Sequence, residues 1–267
     1  MKYYVPAWRF AAAALTLLAS CAAPPAEIVQ SRSYDPNAEA WGAVLARCVD
    51  EAGTNYAQAG EHLELLREAL GAMCGLEAVE FEQWSRKRQL AYLVNAHNAY
   101  ALTRLAEAWV EDPARARTLP MRIRDKGRIR LLGRSWTLRE LGKTCLGDHY
   151  GQASVIFLLN WGAAGCASLP PIPVQEHNLD RLLERQTRAC LGDPDYLRFD
   201  PRRRMLRLTR LVVDHRAVFQ RDYTNLWIFL GQYLPPEEAK LLEQYPPRIR
   251  PLPFDETLDS THTPKTH

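Results

Sequence analysis

Apolar residues that recur every three to four positions dominate the chain and predict a helix-rich protein. The strongest helical patterns cover residues 38–52, 61–74, 85–109, 174–191 and 211–234. The third pattern is the longest because it contains neither glycine nor proline before Asp112-Pro113 ends it. Two shorter helices are predicted at 137–146 and 237–245.

Strand patterns are short and few. Residues 128–138 and 196–208 each contain two short extended runs around turn residues, and each predicts a β-hairpin. The uncharged run at 154–161 is long enough for one buried strand or for two helical turns. These patterns predict a single α+β domain over residues 38–254, rich in helices with a few short antiparallel strands, followed by a polar tail at 255–267.

The first twenty residues have the composition of an export signal. Lys2 and Arg9 precede an apolar run of about ten residues that ends in small side chains, which is the pattern of a secretory signal peptide over residues 1–20. Such a run is about 15 Å of helix, which is too short to span a bilayer. The junction Leu18-Ala19-Ser20-Cys21 resembles the bacterial lipobox. This resemblance implies that Cys21 is acylated and becomes the mature N-terminus.

These features predict a lipoprotein of the bacterial cell envelope. The residue after the lipobox is Ala22 rather than Asp, which favours the outer membrane under the bacterial sorting pattern. The domain is then expected to face the periplasm, tied to the membrane by palmitate on Cys21 and a tether over residues 21–37. Its other expected partner is an unknown envelope protein or small ligand.

Charge argues against one class of partner. The formal charge of +3 falls to +1 once Lys2 and Arg9 leave with the signal peptide. A chain this close to neutrality lacks the excess of Lys and Arg that nucleic acid binding requires, so no nucleic acid partner is expected.

Five cysteines remain in the mature chain. They are Cys48, Cys74, Cys145, Cys166 and Cys190. An oxidising compartment permits disulfides, and Cys48–Cys74 together with Cys145–Cys190 is one possible pairing, which leaves Cys166 as a free thiol. Five buried, reduced thiols are the equally weighted alternative, because spacing does not determine connectivity.

The middle of the longest predicted helix carries the first candidate functional residues. Asn95 and Asn98 lie three positions apart and share a face with Ala91 and Ala99. Asparagines on such a close-packed face usually hydrogen bond to the main chain of a neighbouring loop. The alternative is that they bind or orient a substrate.

The second candidate is the segment Asn160-Trp161-Gly162-Ala163-Ala164-Gly165-Cys166. A turn of small residues exposes backbone N–H groups and can place Cys166 as a nucleophile beside an oxyanion site. His149 or His215 would then be the base. The alternative is a tight turn whose cysteine fills a small pocket.

Common sequence signatures of hydrolases, proteases and nucleotide-binding proteins are absent from the chain. Cys145 and His149, with Cys166 and His177 downstream, match no strong zinc spacing. Neither a metal site nor a cofactor is therefore predicted.

Taken in order, these segments resemble the domain-of-unknown-function family 547. The hallmark of that family is an aromatic-rich helix ending Asn-x-Tyr-Asn-Ala, and here the corresponding residues are Asn95-Ala96-His97-Asn98-Ala99. Residues 136–141, the segment 152–167, Asp222-Tyr223 and Phe254-Asp255 match later family features. The resemblance spans about residues 63–259.

The departures from the family pattern bear on function. Where the family has Asp, Arg and His, this chain has Gln152, Ser154 and Ile156. Trp161 stands in place of the first family cysteine, while Asn160 and Cys166 match the pattern. If the family site uses the Asp-Arg-His set, this chain has lost that polar machinery.

Two functional hypotheses follow. The favoured one is a non-catalytic, ligand- or partner-binding lipoprotein, with Asn95, Asn98 and Asn160 as a binding or structural polar site. The alternative is a thiol-dependent hydrolase or transferase. In that reading Cys166 attacks, His149 or His215 acts as base, and an asparagine of the long helix orients the base.

Overall fold

The structure is a computed structural model that describes residues 39–223 and 225–259. The predicted signal peptide, the lipobox with Cys21, the tether and residues 260–267 of the predicted tail lie outside the described residues. The described chain folds into thirteen α-helices and three small sheets, which confirms the predicted helix-rich α+β class. None of the helices in this range has the length and hydrophobicity needed to cross a bilayer.

The N-terminal elements are short because local turns interrupt the predicted helices. They are α1 Glu39–Cys48, β1 Val49–Asp50, β2 Gly53–Thr54, α2 Tyr56–Glu61, α3 Leu63–Cys74 and α4 Ala78–Glu82. The predicted helix at 38–52 stops at Cys48, since the next residues pair with β2 through a turn that contains Gly53 at φ 120°. Asn55 then caps α2 by accepting a hydrogen bond from Gln58 N.

Helix α5, Arg86–Glu111, is the centre of the fold. Ser85 caps its first turn by accepting a hydrogen bond from the backbone N–H of Arg88. Residues 89–103 are buried without a break, so this central part of the helix is covered on all sides. Helices α2 and α3 pack against it, as do α6 Pro113–Ala116, α7 Pro120–Lys126 and α8 Leu138–Cys145.

The first predicted hairpin is confirmed. Strands β3 Arg128–Leu131 and β4 Arg134–Thr137 pair antiparallel, and the turn residues Leu132 and Gly133 both have positive φ, as a two-residue hairpin turn requires. Thr137 then caps α8 through a capping box with Glu140.

The uncharged run at 154–161 forms neither a strand nor an α-helix. A 3₁₀ helix occupies Ala153–Phe157, and irregular buried chain follows it. Helix α9, Leu179–Leu191, begins five residues later than the pattern at 174–191 predicts. The reason is local, because the Asn178 side chain accepts from Gln175 N and donates to Pro173 O, which holds the preceding residues in a turn.

The C-terminal third forms a three-stranded sheet and four short helices. These elements are β5 Leu197–Asp200, β6 Met205–Leu208, α10 Arg210–Val213, α11 Arg216–Tyr223, α12 Leu226–Gly231, α13 Pro236–Gln244 and β7 Arg248–Pro251. The prediction of one helix over 211–234 is wrong. The chain turns at His215, and Asn225 starts a new helix by accepting from Trp227 N. Strand β7 pairs parallel to β6, so the strand pairs are not all antiparallel.

Part of the predicted polar tail is docked on the domain. Residues 254–259, called the C-terminal strap below, pack beside the turn at 162–165. The backbone N–H of Ala164 donates to Thr257 O and that of Asp259 donates to Gly162 O, each at 2.8 Å. Leu258 is buried in the core. The folded region therefore continues past residue 254.

All five cysteines in the described range are free. Neither of the two possible disulfides, Cys48–Cys74 and Cys145–Cys190, is formed. Four of the thiols are buried and Cys74 is half-buried. Burial raises the pKa of each of these thiols, so the cysteines serve as small apolar side chains in the core.

Candidate functional site

Asn95 fastens helix α5 to the loop that leads into α9. Its Nδ2 donates to the carbonyl oxygen of Val174 at 2.7 Å, and its Oδ1 accepts from the N–H of the same residue at 3.0 Å. The side chain is buried, with 1% of the residue exposed. The Asn95 amide thus satisfies both the N–H and the C=O of Val174, as a residue of a neighbouring β-strand would.

Asn98, one turn further along α5, holds the segment after the 3₁₀ helix. Its Nδ2 donates to Leu158 O at 2.8 Å, and its Oδ1 accepts from Asn160 N at 2.9 Å. His97 Nδ1 lies 3.1 Å from the same Oδ1. Burial lowers the pKa of His97 to about 4, so this imidazole is neutral at pH 7.

Asn160 continues the series into the next turn. Its Nδ2 donates to Ala167 O at 2.7 Å, and its Oδ1 accepts from Gly162 N at 2.5 Å. Gly162 has φ 87°, and a Cβ there would overlap the side chain of Leu105. Asn95, Asn98 and Asn160 form a buried set that we call the asparagine cluster. Asn95 and Asn98 tie two main-chain segments to α5, and Asn160 closes the turn that follows the second segment.

Cys166 ends the turn that Asn160 closes. The residue is 4% exposed, its N–H donates to Ala163 O at 2.9 Å, and its carbonyl oxygen accepts from the Tyr196 hydroxyl at 2.7 Å. Burial raises the pKa of the thiol to about 12 and outweighs the opposing effects of nearby backbone N–H groups and of Arg124. A thiol held in this way is poorly suited to nucleophilic attack.

The two candidate bases lie in other hydrogen bonds. His149 Nε2 is 3.2 Å from Gln89 Oε1, and its ring packs against Tyr150. His215 Nδ1 is 2.9 Å from Leu211 O, and burial lowers the pKa of this imidazole. Within the described residues, neither imidazole hydrogen bonds to the Cys166 thiol. The nucleophile–base pair of the thiol hypothesis is therefore not assembled in this structure.

The C-terminal strap covers the outside of the turn. The ring of Phe254 stacks on Trp161 with centroids 5.9 Å apart. The Arg124 guanidinium also lies over Trp161, 5.1 Å from the ring centroid. A Cβ on Gly165 would lie 2.6 Å from the Phe254 ring, so only glycine fits there. The strap and the glycine turn together leave little access to Cys166.

A groove of about 190 Å³ lies where the chain departs from the family pattern. Its walls include Gln152 and Ser154, while Ile156 points into the core. The Tyr223 hydroxyl, 3.1 Å from Ser154 Oγ, joins the wall. The set of polar side chains that line this groove is Gln152, Ser154, Asp180, Glu184, Thr187, Tyr223, Gln232 and Tyr233.

Thr187 is one of the groove residues that the sequence did not single out. It is 1% exposed, and in the described structure its hydroxyl has no hydrogen-bond partner. The available signal was its place on the apolar side of α9, four residues after Leu183 and three before Cys190. A hydroxyl buried without a partner costs about 1–3 kcal/mol.

The described residues contain no group of three His, Cys, Asp or Glu side chains that is able to hold a metal ion. Cys145 and His149 therefore gain no further candidate ligands from the fold. The polar groups gathered by this region are amides, hydroxyls and the two carboxylates of the groove.

Comparison with known proteins covers the same part of the chain. The search of curated proteins and the search of solved structures returned no significant match. Residues 81–191 match the model of a family described as a protein of unknown function, DUF547. The matched segment runs from just before α5 to the end of α9 and contains the whole asparagine cluster and Cys166. The resemblance of this chain to the DUF547 family is confirmed over residues 81–191.

Proposed function

We propose that this protein is a lipid-anchored component of the bacterial cell envelope whose domain binds a ligand or partner and performs no thiol chemistry. The lipobox at Leu18-Ala19-Ser20-Cys21 supports the anchor. Ala22 supports the outer membrane as its destination, with the domain in the periplasm.

The state of Cys166 carries the non-catalytic part of the proposal. Burial raises the pKa of the Cys166 thiol to about 12, so the thiol is protonated at pH 7, whereas the thiolate is the reactive form. The residue is also covered by the strap and lacks a hydrogen-bonded imidazole among the described residues. These features suit a side chain that fills a pocket in the core.

The groove supports the binding part of the proposal. Its walls present amide, hydroxyl, aromatic and carboxylate groups, and the two carboxylates, Asp180 and Glu184, form ion pairs with Lys87 and Arg188. Thr187 lines the same groove, and its hydroxyl has no hydrogen-bond partner among the described residues. Gln152 and Ser154 offer further hydrogen bonds at the same wall.

Thiol alkylation of the folded chain tests this reading. Iodoacetamide at pH 7 is expected to modify the half-buried Cys74 before Cys166, and Cys166 only after urea unfolds the protein. Peptide mapping by mass spectrometry measures both sites in one sample, so Cys74 is the internal control. Preferential labelling of folded Cys166 below pH 7 would overturn the non-catalytic reading and favour the thiol enzyme.

Metabolic labelling tests the anchor separately. A palmitate analogue is expected to label the wild-type chain in a bacterial host and to leave the Cys21→Ser variant unlabelled. Cys48→Ser is the matched control, since it removes another cysteine and should keep the label. A wild-type chain that stays unlabelled and fractionates away from membranes would contradict the proposed anchor.

A further inference from the structure

The outer face of the three-stranded sheet carries three arginines in one line. Arg198 of β5 is the direct partner of Arg207 of β6, and Arg207 is the direct partner of Arg250 of β7. Directly paired residues point to the same face, and neighbouring strands lie about 4.8 Å apart. All three residues are exposed. We call Arg198, Arg207 and Arg250 the arginine row.

The strand pattern explains which way the row faces. Leu197, Leu206 and Leu208 alternate with these arginines and are buried. The leucine side chains therefore fix the sheet against the core, and the arginines point away from it. A one-residue slip in register would bury the charges, so the row is held firmly on the outer face.

No ion pair within the described chain neutralises the row. Asp200, which shares its face, pairs with Arg203 instead at 3.8 Å. Asp214, further along the chain, pairs with Arg210 at 3.0 Å. Many other arginines of this protein do have carboxylate partners, as Arg67 and Arg139 show.

Three like charges in direct cross-strand positions work against the sheet. A solvent-facing strand position needs only a polar or β-branched residue, so sheet formation itself gives no reason for arginine at all three places. The guanidinium fork matches the oxygens of a phosphate in bidentate hydrogen bonds. The row is thus arranged to receive phosphate groups from outside the chain.

We propose that the arginine row docks the domain on an anionic membrane by binding the phosphates of phospholipid headgroups. This inference rests on the proposed lipid anchor, because only residues 21–38 separate the start of the mature chain from helix α1. The anchor would keep the row close to a surface dense in phosphate, so docking needs little intrinsic affinity. Membrane phosphates are therefore preferred to soluble phosphate as the occupant.

Vesicle flotation of the mature chain carrying Cys21→Ser measures membrane binding by the arginine row in the absence of the lipid anchor. The probes are vesicles of equal parts phosphatidylglycerol and phosphatidylcholine, and vesicles of phosphatidylcholine alone. Each arginine near an anionic surface strengthens binding about fivefold, so Arg198→Gln, Arg207→Gln and Arg250→Gln together should weaken binding to the anionic vesicles about 100-fold. Raising the salt should weaken wild-type binding in the same direction.

A matched variant controls for net charge. Arg86→Gln, Arg122→Gln and Arg185→Gln remove the same charge from exposed positions on three separate helices. This control should keep most of the affinity. Equal losses in the two triple variants would overturn the proposal, and so would equal wild-type binding to both vesicle types. Circular dichroism verifies that both variants are folded.

Two further readouts separate this inference from its alternatives. Wild-type protein that binds inorganic phosphate or a DNA oligonucleotide as tightly as the anionic vesicles would overturn the membrane assignment. Absence of palmitate on Cys21 would defeat the proposed anchor, yet it would leave the vesicle result unchanged. The two failures are therefore distinguishable.

Discussion

The asparagine cluster and the arginine row differ in how the protein uses its polar side chains. Asn95, Asn98 and Asn160 are buried, and the oxygen and nitrogen of every amide hydrogen bond to main-chain groups. The members of the row are exposed and form no ion pair in the described chain. The asparagines thus satisfy main-chain groups inside the fold. The β5–β6 hairpin and strand β7 instead carry positive charge that no ion pair in the described fold neutralises.

The two regions differ in where the partners of their polar groups lie. Buried polar groups must be satisfied on folding, so a polar motif in the core is explained once its internal partners are found. Exposed like charges in register are unfavourable on folding, so their explanation lies outside the described fold. Removing a polar side chain should therefore lower the free energy of unfolding in the asparagine cluster and raise it in the arginine row.

The largest effect is expected from Asn98→Ala. The change leaves Leu158 O and Asn160 N buried without partners, and it should lower the free energy of unfolding by roughly 2–5 kcal/mol. Urea denaturation measures the loss. Asn55→Ala removes only a helix cap and should cost about 1 kcal/mol. An equal loss of unfolding free energy in the two variants would show that Asn98 stabilises the protein no more than a helix cap does.

A smaller effect is expected from the pH dependence of the same region. His97 has a pKa of about 4 in the folded chain against 6.5 in the unfolded chain, so only the unfolded chain binds a proton between these values. Stability should be complete above about pH 6.5 and fall as the pH drops toward 4, by up to about 3 kcal/mol. Burial lowers the pKa of His215 as well, so this residue also makes the protein less stable as the pH falls.

Urea denaturation at pH 7, 6 and 5 measures this slope. His97→Gln should flatten it, while His177→Gln, at an exposed position, is the control for removing an imidazole. A His97→Gln variant with the wild-type slope would show that the buried imidazole is not responsible.

The smallest effect, with the opposite sign, is expected from Arg207→Gln. This change removes the middle charge of the row and should raise the free energy of unfolding by about 0.2–1 kcal/mol. Arg130→Gln is the matched control, because Arg130 is an exposed strand residue that faces Ser135 rather than another arginine. Thermal unfolding compares the two variants. A destabilised Arg207→Gln variant would mean that the row has favourable partners within the chain.

Local signals predicted much of the fold. The long helix and both hairpins appear where the sequence places them, because capping residues, turn residues and periodicity act over a few positions. The same periodicity failed over 211–234. There the apolar pattern continues, but His215 and Asn225 bond to nearby backbone groups and break the helix.

Long-range pairing limited what could be predicted about the sites. Sequence spacing places Asn95 and Asn98 on one face, but their partners Val174 and Leu158 come from distant segments that only the folded chain brings near. The sequence did not predict the arginine row either. Its third member depends on β7, whose parallel pairing to β6 leaves no short-range pattern in the sequence.

The C-terminal strap also constrains when the protein can finish folding. Asp259 N donates to Gly162 O and Leu258 N donates to Arg117 O, so the strap closes contacts with segments that were synthesised long before it. Contacts of such high sequence separation form late, because the intervening chain must first be ordered. A nascent chain therefore cannot complete the packing around the turn at 162–165 until the strap has been synthesised. A product cut short before the strap would expose apolar surface around Trp161.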